Sequence, residues 1–176
     1  DLFNVVIDYI PDISEYAHQV SKWTIMRLLP GHLHTPDFEV INNYLAQESD
    51  HLKRLQLSER IADVFDKYSV YRPDMVLRWD EGAQRAGQSE RWQAELWRGL
   101  FKDGKGKHRA GILRDFLNGL TSRKNQPAGL PKRISVFGIP ALPGYHFEVI
   151  HALASLIDVH LFLLSPTKEY WADSVP

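Results

Sequence analysis

The sequence contains no cysteine in 176 residues. That absence excludes disulfides and thiolate-bound metals, and it fits a reducing, cytoplasmic compartment. Long apolar runs are also missing. A membrane helix needs ~20 apolar residues, and the most apolar region, Val149 to Leu164, is interrupted by His151, Asp158 and His160. No membrane partner is expected. There is no GxxxxGK[ST], so no phosphate cradle is expected. The eight histidines form no HExxH and no spacing that aims two ligands and a carboxylate the same way. His32 and His34, two apart in a Pro-Gly loop, read as a solvated turn. Ser135 and Ser165 lack a nucleophile-elbow context. The only Asp-Glu dipeptide, Asp80-Glu81, follows Arg78 and Trp79 at the end of a short helix and reads as surface. The chain is therefore expected to carry no catalytic, cofactor-binding or metal-binding residue. It begins at Asp1 with neither a Met nor a basic, apolar leader, and so reads as a piece of something longer.

What is present is unevenly distributed. Net charge is −1, yet between Arg98 and Arg133 ten Lys or Arg face two acids, while the remainder holds eleven against twenty. Such runs are more often solvated loops than binding sites. Glycines interleaved through KDGKGKHRAG, Lys102 to Gly111, favour a loop that follows a phosphate backbone, with Lys105 and Lys107 as contacts.

Apolar periodicity predicts a mostly helical chain. Asp12 and Glu15 form a capping box for a helix from Ile13 to about Leu29, stopped by Pro30 and Gly31. Thr35 and Pro36 open a second helix, with Phe38, Ile41 and Leu45 at helical spacing. The longest helix carries Leu57, Ile61, Val64, Phe65 and Tyr68 on one stripe and Glu59, Asp63, Asp66 and Lys67 on the other face. Pro73 starts a short helix toward Trp79. Ser89 caps the next, whose Trp92, Leu96, Trp97, Leu100 and Phe101 form a broad apolar face. Ile112, Phe116 and Leu120 mark another helix beyond the basic loop. The tryptophans, spaced among leucines, read as core rather than as base-stacking platforms.

The texture changes after a Pro/Gly-rich connector, residues 125–133. RISVFGIPALPGYHFE, Arg133 to Glu148, reads as strand, turn and helix. A strand at Ile134–Phe137, a helix at about Gly144–Leu156 and a strand at Val159–Leu164 predict a parallel pair, too apolar to have a wet face and thus covered on both sides. Two strands are not a domain, so the rest of their sheet is expected outside this chain. In many nucleotide-driven machines the end of such a strand carries an Asp-Glu pair. Here the positions are Gly138 and Ile139.

Four blocks, in order and at matching spacing, resemble a known family: LQLSERIADVFDKYSVYRPD (Leu55 to Asp74), WQAELWRGL (Trp92 to Leu100), GLPKRISVFGIPALPGYHFEVIHALASLIDVHLFLLSP (Gly129 to Pro166) and EYW (Glu169 to Trp171). They are similar to RecC, the gamma chain of exodeoxyribonuclease V, across essentially all 176 residues. The resemblance implies a fold that is mostly α with a small α/β part. Residues 1–124 would be a helical insertion module of an inactivated superfamily-one helicase-like domain, 125–133 a connector, and 134–176 a strand-helix-strand piece of its motor-like core. It implies RecB-like and RecD-like partner subunits, which use magnesium and ATP, and a role in guiding single-stranded DNA and recognising the Chi recombination signal. A subunit-assembly scaffold that reads no DNA is the alternative. The recognition residues carry over as Asp63, Val64, Asp66, Arg72 and Arg109, with Val64 standing where the family has Leu. Without the family, Asp63 and Lys67 are a surface i,i+4 pair and Arg72 finishes a helix end.

Overall fold

The computed structural model describes residues 18–46, 51–83, 87–102, 108–121, 129–139 and 141–164. Six helices, α1 (His18–His32), α2 (Glu39–Leu45), α3 (His51–Tyr71), α4 (Pro73–Asp80), α5 (Gln88–Leu100) and α6 (Arg109–Thr121), precede β1 (Arg133–Phe137), α7 (Gly144–Ala154) and β2 (Asp158–Phe162). The chain is mostly helical with one two-stranded parallel sheet. No described helix is long and apolar enough to cross a membrane.

The capping box at Asp12 and Glu15 lies outside the described residues. Helix α1 runs through Pro30 rather than stopping there. A proline in the last turn removes one hydrogen bond only, and the end is closed by the Thr35 N–H and hydroxyl, which donate to the His32 carbonyl at 3.0 and 2.9 Å. Thr35 thus caps backwards, and Pro36–Phe38 form a 3-10 turn before α2 begins. Ser89 is not a cap either. Gly87 precedes α5, and Ser89 lies in the first turn, where its carbonyl accepts from the Gln93 amide at 2.6 Å.

The main core follows from the stripe on α3. Ile61, Ala62 and Phe65 are buried against Ile25 and Leu29 of α1, Met75, Val76 and Trp79 of α4, and Ala94, Leu96 and Trp97 of α5. The buried Ser58 and Ser69 donate their hydroxyls to carbonyls four residues back, at 2.8 and 3.1 Å, so neither leaves an unmet donor in the apolar seam. Phe65 meets Trp79 and Trp97 edge-on, with ring centroids 6.3 and 5.3 Å apart. Such pairs contribute ~0.5–1.5 kcal/mol each beyond burial.

A second, smaller core gathers Phe116 and Leu120 of α6 with Leu153 of α7 and Ile157. Helix α6 serves both cores, because Ala110 in its first turn belongs to the first. The strands pair in the register Arg133↔Asp158 to Phe137↔Phe162. Only one face of the pair is covered among the described residues, unlike the two-sided burial expected from composition. Ile134 and Val159 turn toward α6 and α7. Phe137 and Phe162 are 65% and 51% exposed on the other face, where they stack at 4.4 Å.

Candidate functional site

Helix α3 is 21 residues long and sinks one side into the core. That leaves a continuous polar side, on which residues three and four apart are neighbours. Asp63 and Asp66 stand there, each side chain 48% exposed, beside Lys67 and the half-exposed Val64. Lys67 Nζ is 4.0 Å from Asp63 Oδ2, the loose surface pair expected from the spacing. Asp66 has a partner from far along the chain, since Arg109 Nε lies 3.6 Å from its Oδ1. Two of the residues singled out in the sequence, 43 positions apart, therefore share one ion pair. The guanidinium is 52% exposed and keeps donors available to a ligand.

Arg72 stands elsewhere. It is exposed at the junction of α3 and α4, with φ −138° and ψ 49°, and its carbonyl accepts from Met75 and Val76. Its charge reaches Asp74. The neighbouring Arg78 bonds to Asp74 at 3.0 Å. Burial pushes the Asp74 carboxyl up, and the Arg78 and Met75 hydrogen bonds with the charges of Arg78 and Arg72 outweigh it, so the group titrates below its ordinary value. Lys105 and Lys107 lie outside the described residues.

What holds Arg109 in place was not foreseen. His108 is 2% exposed, and its Nε2 lies 2.7 Å from Asp80 Oδ2. Its Nδ1 accepts the Gly111 N–H at 3.1 Å, which puts the ring proton on Nε2 and makes the imidazole the N-terminal cap of α6. Trp97 Nε1 donates to the other Asp80 oxygen at 2.9 Å. Asp80, read from the sequence as surface, is thus a buried acceptor, its side chain only 9% exposed. Its burial raises the carboxyl's pKa, but the hydrogen bond from His108, the Trp97 N–H and the charge of Arg114 prevail and hold it below the usual carboxylate value. A signal for this clasp was present. A tryptophan in an apolar stripe brings an N–H that must find an acceptor, and the second core tryptophan follows the same rule, with Trp79 Nε1 donating to Glu90 at 3.0 Å. Nothing in the spacing, however, said that a histidine at the end of a basic loop would be drawn inside.

Arg109 also faces the α/β part. Tyr145, in the first turn of α7, has its phenol pushed above its ordinary pKa by burial, with the Arg109 charge pulling the other way. At the end of β1, Gly138 takes φ +63° and donates its N–H to the Phe162 carbonyl at 3.3 Å. Ile139 follows, 37% exposed.

The family model described as RecC, N-terminal domain, matches residues 1–176. The RecBCD enzyme subunit RecC of Escherichia coli (strain K12) is 38% identical over 180 residues, which cover 98% of this chain and 16% of the relative. The Haemophilus influenzae RecBCD enzyme subunit RecC is 38% identical over 179 residues, covering 86% of this chain and 16% of that protein. The Mycolicibacterium smegmatis RecBCD enzyme subunit RecC is 29% identical over 140 residues, covering 78% and 12%. The chain thus spans only about a sixth of the length of these curated relatives. It belongs to the RecC family, in the N-terminal domain.

Proposed function

We propose that the chain forms part of the DNA-guiding and Chi-recognising subunit of a heterotrimeric helicase-nuclease, acting in the cytoplasm in double-strand break repair by homologous recombination. RecB-like and RecD-like subunits are its partners and carry the ATP- and magnesium-dependent chemistry. Residues 1–124 act as a helical insertion, joined through 125–133 to an inactivated motor-like core of which 134–176 are a part. The observation that carries this reading is the Asp66–Arg109 pair at 3.6 Å on the open side of α3. A carboxylate accepts from the amino group of an unpaired cytosine, and a guanidinium engages guanine O6 and N7 or a phosphate bidentately. Asp63, Val64 and Arg72 extend the contact along the same helix and past its end, and Lys105 and Lys107 follow the phosphate backbone. The glycine and isoleucine at the end of β1 favour a non-catalytic role, because neither can ligate magnesium or activate water.

The test uses the whole assembled enzyme on DNA with and without the recombination signal. Asp66→Ala is expected to leave unwinding intact and to abolish signal-dependent fragments or shift them to another sequence. Wild-type values for both would remove the reading.

A second reading, an assembly scaffold without direct DNA contact, is favoured by the bare apolar face at Phe137 and Phe162. Replacing Lys105, Lys107 and Arg109 by Glu separates the two. Loss of salt-dependent single-strand binding with assembly preserved supports the DNA reading, and loss of assembly supports the scaffold.

A further inference from the structure

Tyr44 of α2 and Gln56, Leu57, Glu59, Arg60 and Asp63 of α3 line a groove of about 680 Å³. Pockets that hold small organic groups occupy ~300–1,000 Å³. Tyr44 is 50% exposed, and Lys53 Nζ lies 4.6 Å from the centroid of its ring. Gln56, Arg60 and Asp63 fall at i, i+4 and i+7 of α3, one stripe about 10 Å long that continues to Lys67. The groove therefore runs directly into the row that holds Asp63.

We propose that this groove is an additional strand-binding subsite that takes one unpaired base, stacked on the Tyr44 ring, next to the segment read by Asp63 and Asp66. The inference rests on the DNA-reading function above and extends it to residues that function does not use. The lining selects a base rather than a phosphate. Two carboxylates, Glu59 and Asp63, face the space and would repel an anion. Glu59 is held by Lys22 of α1 at 3.4 Å, and Asp63 faces Lys67. A nucleobase is uncharged, has a flat apolar face for an aromatic ring, and carries donors and acceptors around its edge. Arg60 and Gln56 supply the complementary edge contacts, guanine for the first and adenine for the second. Lys53 lies over one face of the ring, so the base takes the other face and the ammonium is placed for the phosphate that follows. A base inside a duplex cannot offer its face, so the ligand is a single strand.

The experiment uses the assembled helicase-nuclease unwinding DNA with 5-iodouracil at successive positions around the signal, irradiated and mapped by peptide. The peptide containing Tyr44 is expected to crosslink at one register. Tyr44→Leu should lower that crosslink and the signal-dependent fragments about tenfold, the order of one base–aromatic stack, while unwinding continues. Tyr44→Phe should behave as wild type, because the ring does the stacking. Fragments at the wild-type level in Tyr44→Leu, in an enzyme whose Asp66→Ala variant has lost them, would overturn the groove and leave the helix reading standing. If Asp66→Ala keeps its fragments, the helix reading fails. A Tyr44 crosslink in that same enzyme would retain the groove as a plain strand contact.

Discussion

The two cores of this chain are closed to different degrees. In the helical core Phe38, Trp79 and Trp97 are fully buried, and both buried tryptophans satisfy their N–H groups, Trp79 through Glu90 and Trp97 through Asp80. In the smaller core, α6 and α7 cover one side of two strands, and the other side presents Phe137 and Phe162, with Leu164 just beyond β2 94% exposed. The closed core fixes the orientation of α3 and the first turn of α6, which carry Asp66 and Arg109. Among the described residues the open sheet is an apolar layer with unpaired edges, a state that folded proteins avoid by covering or closing it.

Paired substitutions at equivalent rings break this comparison most directly. Phe38→Ala, at a site with no exposure in the helical core, is expected to cost ~3–5 kcal/mol. Phe162→Ala, at a half-exposed ring with one stacked neighbour, is expected to cost ~1 kcal/mol. Chemical denaturation compares the two. Equal costs would mean that the outer face is covered by chain beyond this segment, and the contrast between the cores would vanish in the whole protein.

The Asp80 clasp sharpens the comparison at an intermediate scale. In Asp80→Asn one amide oxygen must serve two donors, the Trp97 indole and the His108 ring, and one donor loses its partner or His108 changes tautomer and releases Gly111. The expected cost is ~2 kcal/mol. Because the wild-type carboxyl titrates below its ordinary value, its stabilisation is in place above ~pH 4 and is lost as the pH falls through the lower, folded-state value. Asn has no such titration. Denaturation midpoints taken from about pH 5 down to about pH 3 should fall more steeply in wild type than in Asp80→Asn. Parallel slopes would show that the carboxylate is not charged in the clasp.

How much of this could be read in advance depended on range. Apolar steps of three and four found α3, α5 and α6, and Pro73 found the start of α4, because these signals act within a turn or two. Pro30 and Ser89 misled, since a proline in a last turn costs little and a serine one residue inside a helix does not cap it. Asp80 looked like surface because its partners, Trp97 and His108, lie 17 and 28 residues away and no local pattern reports them. For the candidate site, the i,i+4 pair of Asp63 and Lys67 was legible from spacing. The meeting of Asp66 with Arg109 depended on how α6 docks on α3, and only the family resemblance put the two residues in one group.

The smallest expected effect tests the open region at its functional-looking turn. Gly138 adopts φ +63°, where a side chain costs ~1 kcal/mol, although a Cβ there would meet nothing within 4 Å. Gly138→Asp with Ile139→Glu would introduce an Asp-Glu pair at the end of β1 at that modest cost. It is expected to yield no ATP hydrolysis in an assembled enzyme whose motor subunits have been inactivated, because these 176 residues contain no phosphate-cradling GxxxxGK[ST] and a carboxylate pair without one has no nucleotide to act on. Hydrolysis gained by the double variant would mean that a phosphate site exists beside this sheet, on chain that completes it. The bare face at Phe137 and Phe162 would then border a nucleotide pocket that needs only its carboxylates, and the glycine at the end of β1 would be the residue that silences it.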